Sequence, residues 1–173
     1  MYQSGNGLVH LYWGDGKGKT TAAMGLAVRA LGQGMKVVIV QFLKSGESGE
    51  LAPLQRLGAS VYSGKAGMKF VSQMTAEEKA EAKRLQTENL NRALEEACDL
   101  LILDEACAAW ELDMVDGALL QNAVLDRPAG REVVMTGRNP AEWMRTAADY
   151  VTEMRCCAHP YDKGIAARKG IEY

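Results

Sequence analysis

The segment Gly14-Asp15-Gly16-Lys17-Gly18-Lys19-Thr20-Thr21 decides the fold of this chain. It follows a short apolar segment, Leu8 to Tyr12, that is typical of a β-strand, and it leads into a helical segment, Lys19 to Leu31. A glycine-rich loop between a strand and a helix presents backbone N–H groups to phosphate oxygens, and the helix N-terminus favours the same negative charge. The segment therefore predicts a P-loop that binds the triphosphate of ATP.

The residue types of this loop suit a nucleotide. Glycines avoid side chains that would block the approach of phosphate oxygens, and Lys19 would neutralise the charge of the terminal phosphate. The Thr20 hydroxyl would bind Mg²⁺, and Lys17 adds a second positive charge. The predicted nucleotide-binding residues of the loop are Gly14, Asp15, Gly16, Lys17, Gly18, Lys19, Thr20 and Thr21.

One position of the loop departs from the general P-loop pattern. That pattern has a glycine five residues before Gly18, where this chain has Trp13. The segment could therefore be a glycine-rich turn that binds nothing. Its position between a strand and a helix favours the phosphate site.

A second segment supplies acids for a metal. The apolar run Leu100 to Leu103 ends in Asp104 and Glu105, which is typical of a Walker B strand. Asp104 would hold Mg²⁺ directly or through water, and Glu105 could bind the metal or orient water. The two acids could equally mark a helix N-terminus, where the helix dipole favours negative charge. A P-loop about 85 residues earlier favours the metal, so Lys19, Thr20 and Glu105 are the predicted catalytic residues.

Strand-like and helical segments alternate along the rest of the chain, which predicts a parallel sheet with crossover helices. We expect a RecA-like P-loop NTPase fold of the α/β class, with a mostly parallel sheet of five or six strands flanked by helices, in a single domain spanning residues 1–173. The further predicted strands are Lys36 to Gln41, Ser60 to Tyr62, Val133 to Thr136 and Tyr150 to Met154. The further predicted helices are Leu51 to Leu57, a helix from the capping box at Thr75 to Cys98, a helix capped by Asp113 reaching Leu125, and a helix begun by Asn139 and Pro140.

Composition narrows the classes of partner. The chain has 173 residues, 47% hydrophobic and 24% charged, with a net charge of −2, which gives no electrostatic reason to expect nucleic acid or a membrane surface. Its four cysteines form no C-x-x-C pair, which disfavours a zinc site and a disulfide framework and suits a reducing compartment. No signal-peptide pattern and no apolar run of membrane-spanning length occur, so we expect a cytoplasmic protein.

The sequence resembles the P-loop-type corrinoid adenosyltransferases, also called cob(I)alamin adenosyltransferases, from Leu8 to Tyr173. The family's form of the P-loop also lacks the early glycine, so Trp13 agrees with it. The segments that carry the resemblance are Gly14 to Ala23, Val40-Gln41-Phe42, Leu103-Asp104-Glu105, Thr136-Gly137-Arg138, Val151 to Arg155, His159 to Gly164 and Lys169 to Tyr173.

The resemblance implies a particular reaction. The Co(I) of a reduced corrinoid attacks the ribose C5′ of ATP, a Co–C bond forms, and triphosphate leaves as one piece. Lys17, Lys19, Thr20 and Mg²⁺ would then stabilise the leaving group, and no general base is needed. The residues alone leave two alternatives open: a P-loop kinase or ATPase, and a non-catalytic nucleotide-binding regulator. The resemblance also implies a homodimer and a flavoprotein electron donor.

The resemblance further assigns the segment after the third strand to the corrinoid. Family members commonly have a G-F-T-W-like segment there, whose aromatics help to displace the lower cobalt ligand, and this chain has Gly67-Met68-Lys69-Phe70. Met68 and Phe70 could form an apolar wedge against the corrin, or both could be core residues. Arg138 would contact phosphate or organise that edge of the sheet, or it could be a solvated loop arginine. Gln41 could bind nucleotide or corrinoid, or it could have a structural role. Lys44 and Glu50, in a polar loop after the second strand, could close over the ligand.

Overall fold

A computed structural model describes residues 7–65 and 67–172 of the chain. Strands and helices alternate through these residues, as the sequence predicts. The strands are β1 (Val9–Trp13), β2 (Val37–Gln41), β3 (Ser60–Tyr62), β4 (Leu100–Asp104), β5 (Glu132–Gly137) and β6 (Tyr150–Glu153). The helices are α1 (Lys19–Gly32), α2 (Leu51–Arg56), α3 (Ala76–Glu95), α4 (Ala106–Glu111), α5 (Gly117–Leu125) and α6 (Glu142–Ala147). Short 3₁₀ segments lie at Val71–Gln73 and Pro160–Lys163.

The six strands form one sheet in the order β3-β2-β4-β5-β1-β6, and the paired strands run parallel. This confirms the predicted α/β fold with a parallel sheet. Strands β2 and β4 are buried along their whole length, which explains their continuous apolar sequences. Because the strands are parallel, the P-loop after β1 and the acids after β4 lie at the same edge of the sheet.

Helices cover both faces of the sheet. On one face, α1 contributes Ala23 and Ala27, both fully buried, against strand residues such as Ile39 and Ile102. These small side chains let the helix that follows the P-loop pack closely on the sheet. The other face packs against the remaining long helix, α3, and against α4, α5 and α6. The P-loop therefore lies between β1 and the buried face of α1.

Of the three N-caps predicted from the sequence, one was right and two were wrong. Thr75 and Glu78 form the predicted capping box, with each side chain accepting the other residue's N–H, although the helix ends at Glu95 rather than near Cys98. Asp113 does not cap α5. It follows α4 in a left-handed conformation with φ of 53°, and Asp116 caps α5 by accepting the Leu119 N–H at 2.9 Å.

The prediction for the helix after β5 was also wrong. Asn139 and Pro140 do not begin it, because α6 starts at Glu142 and Ala141 occupies its N-cap without a side-chain bond. The Asn139 amide instead lies 3.4 Å from both carboxylate oxygens of Glu111 at the end of α4. In the described part of the chain, no helix combines the length and the apolar character needed to cross a membrane.

Candidate active site

The P-loop is held by the end of β6. The Gly16 N–H donates to the Met154 carbonyl at 2.7 Å, and the Gly14 N–H donates to the Gly137 carbonyl at 3.2 Å. A Cβ at Gly14 would lie 2.4 Å from the Met154 carbonyl oxygen, and Gly14 has a φ of 115°. Packing against the backbone just after β6 thus accounts for Gly14 and Gly16. Gly18 has a φ of 117°, and among the described residues only Met154 Sδ comes within 4 Å of a Cβ placed there, at 3.4 Å.

The charged residues of the loop have partners of their own. Lys19 Nζ donates to the Gly16 carbonyl at 2.7 Å, which folds the ammonium over the loop. Burial lowers the pKa of Lys19, and the nearby Glu105 carboxylate opposes that shift. Lys17 is exposed and donates to the Ile171 carbonyl at 3.1 Å. Asp15 accepts the Cys156 N–H at 2.9 Å, so its carboxylate joins the loop to the C-terminal tail.

Asp104 is the centre of a polar cluster and is fully buried. Its Oδ1 accepts hydrogen bonds from Thr20 Oγ1 at 2.8 Å and from Thr136 Oγ1 at 2.7 Å. Its Oδ2 lies 2.6 Å from Lys44 Nζ and accepts a longer bond, 3.3 Å, from Gln41 Nε2. Four donors from four segments therefore surround one buried carboxylate and satisfy its oxygens.

Glu105 lies beside this cluster and begins α4. Its φ is 60°, and it occupies the N-cap of α4 without a side-chain capping bond. Its backbone N–H donates to Thr136 Oγ1 at 2.9 Å. Burial raises the pKa of Glu105, and the neighbouring Asp104 charge raises it further. Glu105 thus precedes a helix, as one interpretation of the acid pair predicts, and the charges of Lys19, Lys44 and Asp104 are close to its side chain.

Gln41 and Arg138 lie on either side of this cluster. Gln41 is 1% exposed, and its Nε2 also donates to Glu50 Oε1 at 3.0 Å. Among the described residues, its buried Oε1 has no hydrogen-bond partner. Arg138 is exposed after β5; its positive charge adds to the effect of burial in lowering the pKa of Lys19 and partly opposes the effect of burial that raises the pKa of Glu105.

A cavity of about 850 Å³ opens beside the P-loop and the polar cluster. Its walls come from α1, the loop after β2, α2, the segment after β3 and the C-terminal tail. Phe70 is 79% exposed at this cavity, so it is not a core residue. Met68 is half-buried and packs against Gly64. The residues that line the cavity include Lys17, Thr20, Thr21, Lys44, Glu50, Met68, Phe70 and Gly170 to Glu172.

Comparison with known proteins identifies the family. The family model described as ATP:corrinoid adenosyltransferase BtuR/CobO/CobP matches residues 5–173. The chain belongs to this family.

Curated members of the family align over nearly the whole chain. The corrinoid adenosyltransferase of Escherichia coli strain K12 is 31% identical over 99% of this chain and 88% of its own length. The corrinoid adenosyltransferase of Pseudomonas aeruginosa is 35% identical over 96% of this chain and 84% of its own length. A solved T48 deacetylase covers 87% of this chain and 88% of its own at 13% identity, but its TM-score of 0.28 is too low to indicate a shared fold.

This adenosyltransferase also has a site residue that the sequence interpretation missed. Thr136 is fully buried and joins Asp104 to the backbone of Glu105. Its signal was available, since it is the polar residue at the end of an otherwise apolar strand and belongs to the Thr136-Gly137-Arg138 segment. The sequence interpretation emphasised Arg138 of that segment, whereas in the structure Thr136 is the residue that bonds directly to Asp104.

Proposed function

We propose that this adenosyltransferase transfers the 5′-deoxyadenosyl group of ATP to the Co(I) of a reduced corrinoid such as cobalamin, in adenosylcobalamin synthesis or salvage, with triphosphate leaving as one piece. The Co–C5′ bond forms as the C5′–O bond breaks, and the electron pair of that bond leaves with the triphosphate. One structural observation supports the proposal in addition to family membership. The P-loop residues Thr20 and Thr21 line the same cavity as the apolar Met68 and Phe70. A nucleotide on the P-loop would therefore point its reacting end toward a ligand in this cavity.

The polar cluster suits Mg²⁺, which prefers oxygen ligands. The Thr20 hydroxyl and the Asp104 carboxylate lie 2.8 Å apart, and the unpartnered Gln41 Oε1 is available to accept from a metal-bound water. The described residues contain no group of three or more His, Cys, Asp or Glu side chains that could hold a metal ion. Thr20, Asp104 and Glu105 would thus hold Mg²⁺ together with water and phosphate oxygens, and the ion would supply charge stabilisation for the leaving triphosphate.

The positive side chains of the P-loop would act on the same leaving group. Among the described residues, the Lys19 ammonium bonds only to a loop carbonyl, Gly16 O, so it can turn to phosphate without breaking an ion pair within them. Lys17 bonds to the Ile171 carbonyl of the tail, and contact with phosphate would replace that bond. The nucleophile carries no proton, so alignment and charge stabilisation suffice and no general base is required.

The cavity suits a large, partly apolar ligand. Its volume of about 850 Å³ lies in the upper part of the range for small-molecule sites, about 300–1,000 Å³. Phe70 is exposed at its edge, so its ring is accessible to a ligand in the cavity. We assign Phe70 and Met68, which line the same cavity, to the face of the corrin and to displacement of the lower cobalt ligand.

Further parts of the proposal concern partners and compartment. The family resemblance supports a homodimer and a flavoprotein that supplies the electron to cobalt. Exposed apolar residues on the edge strand β6 and the tail, Tyr150, Val151 and Tyr161, provide surface for a second copy. Four cysteines without a disulfide support the cytoplasm, and one continuous sheet supports a single domain.

The test is an anaerobic assay with the full chain, Mg²⁺-ATP and chemically reduced cobalamin, followed by the absorbance of the Co–C bond and identification of the phosphate product. A light-sensitive alkylcobalamin with stoichiometric triphosphate is expected. Release of ADP, or ATP binding without a cobalt product, would overturn the proposal. Size-exclusion chromatography with light scattering tests the homodimer separately.

The role of Phe70 is tested by Phe70→Ala in the same assay, with Leu57→Ala as the matched control. Leu57 is 57% exposed and lines the same cavity, but it lies outside the predicted wedge. We expect Phe70→Ala to lower the rate at least about tenfold, the loss of roughly 1.4 kcal/mol of transition-state stabilisation, without lowering thermal stability. Equal rates for the two variants would remove Phe70 from the corrinoid site.

A further inference from the structure

The Lys44 ammonium lies where the proposed metal would bind. Its Nζ is 2.6 Å from Asp104 Oδ2 and 3.5 Å from Thr20 Oγ1, and these two side chains are the oxygen donors that flank the P-loop. Magnesium binds its ligands at about 2.0–2.1 Å. A divalent ion in contact with Thr20 and Asp104 would therefore be in contact with, or displaced by, the ammonium.

The surroundings of Asp104 make this a direct competition. The carboxylate is fully buried, and Thr20 and Thr136 already occupy its Oδ1. Lys44 makes the short, charged contact to Oδ2, whereas the neutral Gln41 amide is at 3.3 Å. Of the groups bonded to Asp104, Lys44 is thus the one whose replacement by a metal ion keeps the buried charge compensated.

The side chain of Lys44 can also move while its backbone stays in place. Its carbonyl accepts the Gly64 N–H at 3.1 Å, and the preceding residue, Leu43, donates its N–H to the buried Gln86 Oε1 at 2.7 Å. The side chain itself is a flexible four-carbon stem that is 25% exposed and borders the cavity. The ammonium can leave Asp104 for the space beside the P-loop without any change in the loop that carries it.

We propose that Lys44 is an exchangeable cation of the active site: it neutralises Asp104 until Mg²⁺ binds, and then moves onto the triphosphate. This inference rests on the proposed function for the identity of the metal and of the phosphate ligand. Exchange keeps the buried carboxylate compensated in both arrangements. It also places an additional positive charge on the leaving group only when metal and nucleotide are both bound.

The first experiment titrates Mg²⁺ alone into the full chain without nucleotide, by calorimetry, for the parent protein, Lys44→Met and Lys44→Gln. A charge within about 4–6 Å changes the affinity of a carboxylate for a proton by one to three pKa units. Removal of the competing ammonium should therefore tighten Mg²⁺ binding at least about tenfold by the same electrostatic effect. Lys44→Gln keeps a hydrogen-bond donor for Asp104 and provides the measurement if Lys44→Met folds poorly.

Lys69→Met is the matched control. Lys69 borders the same cavity, but its ammonium pairs with Glu78 at 2.5 Å, so its removal should leave Mg²⁺ affinity unchanged. If the Lys44 variants bind Mg²⁺ no more tightly than the parent and Lys69→Met, the exchange is refuted.

The second experiment measures the affinity for inorganic triphosphate at saturating Mg²⁺. Loss of the Lys44 charge should weaken triphosphate binding about tenfold or more, as expected for one charge-assisted contact of roughly 1.5–3 kcal/mol, whereas Lys69→Met should not. Unchanged triphosphate affinity, or no Mg²⁺ binding by any of these proteins even with triphosphate, would overturn the inference. Both readouts are independent of adenosyl transfer, so an inactive parent protein with these affinity shifts would refute the proposed reaction and leave the exchange standing.

Discussion

The substitution Thr136→Val measures how much the polar cluster around Asp104 contributes to the stability of the fold. Valine has nearly the shape of threonine and suits a buried strand, but it lacks the hydroxyl that bonds to Asp104 Oδ1 at 2.7 Å and to the Glu105 N–H at 2.9 Å. The site is fully buried, so water cannot replace either bond. The variant therefore removes one charged hydrogen bond and leaves one buried N–H without its acceptor.

The magnitude follows from these two losses. A hydrogen bond to a charged group contributes about 1.5–3 kcal/mol, and an unsatisfied buried donor costs about 1–3 kcal/mol. Partial relaxation of the neighbours makes the lower half of the combined range the expected one, about 3 kcal/mol. For a chain of this size the midpoint of thermal unfolding should fall by roughly 6–12 °C.

The assay is equilibrium unfolding in urea, followed by circular dichroism, without nucleotide and with a metal chelator. Thr136→Ser keeps the hydroxyl and should cost only about 1 kcal/mol for the lost methyl group. Thr152→Val makes the same change on β6, where Thr152 is exposed, and should stay within about 0.5 kcal/mol of the parent. If Thr136→Val is no less stable than Thr152→Val, the cluster does not contribute to stability as argued here.

Two further predictions concern α4 and the cysteines. Gly137→Ala would place a methyl group 2.4 Å from Cys107 Cβ and should lower the free energy of unfolding by about 1–3 kcal/mol. Gly25→Ala is the control, since no atom of the described residues lies within 4 Å of its added methyl group, and it should raise the free energy of unfolding slightly. Equal effects of the two variants in urea unfolding would contradict the close contact at Gly137. Burial raises the pKa of Cys107 to about 12, so a thiol reagent at pH 8 should label exposed Cys156 and Cys157 in the native protein and Cys107 only after unfolding. Rapid native labelling of Cys107, detected by peptide mass spectrometry, would show that the α4 junction opens.

Strands β2 and β4 were predictable because each is a buried apolar run between turn residues, and burial on both faces removes any need for alternation. Strand β6 was also predicted, although it is exposed along its whole length. The helix starts show that N-cap preferences of nearby residues do not always identify the residue at which a helix begins. Asp113 and Asp116 are both suitable N-caps, and only the length of α4 and its closing turn decides between them. Helix α4 was left open by the sequence, since Asp104 and Glu105 could mark either a metal site or a helix N-terminus, and Glu105 is its N-cap without a side-chain bond.

The site was predictable as a set of residues but not as a network. The P-loop and the acid pair follow from sequence patterns, because a phosphate cradle and a metal need those residue types at the ends of strands. The partners of Asp104 lie 84, 63, 60 and 32 residues from it along the chain, and spacing carries no signal for such contacts. The sequence likewise explained Gly14 only by the approach of phosphate. In the structure a side chain at Gly14 would collide with the Met154 carbonyl, 140 residues away in the chain.

The strand order explains why one buried carboxylate can organise this site. Strand β5 lies between β1, which leads into the P-loop, and β4, which ends at Asp104. Thr136 on β5 therefore stands beside Thr20 at the same oxygen of Asp104. The donors on this oxygen are hydroxyls fixed on a strand and a helix, whereas the other oxygen has a flexible ammonium and a longer amide contact. Oxygen Oδ1 of Asp104 is thus held by fixed hydroxyls, whereas the ammonium at Oδ2 can be exchanged for a metal ion. This asymmetry lets Asp104 keep its position while the cation beside it changes from Lys44 to Mg²⁺.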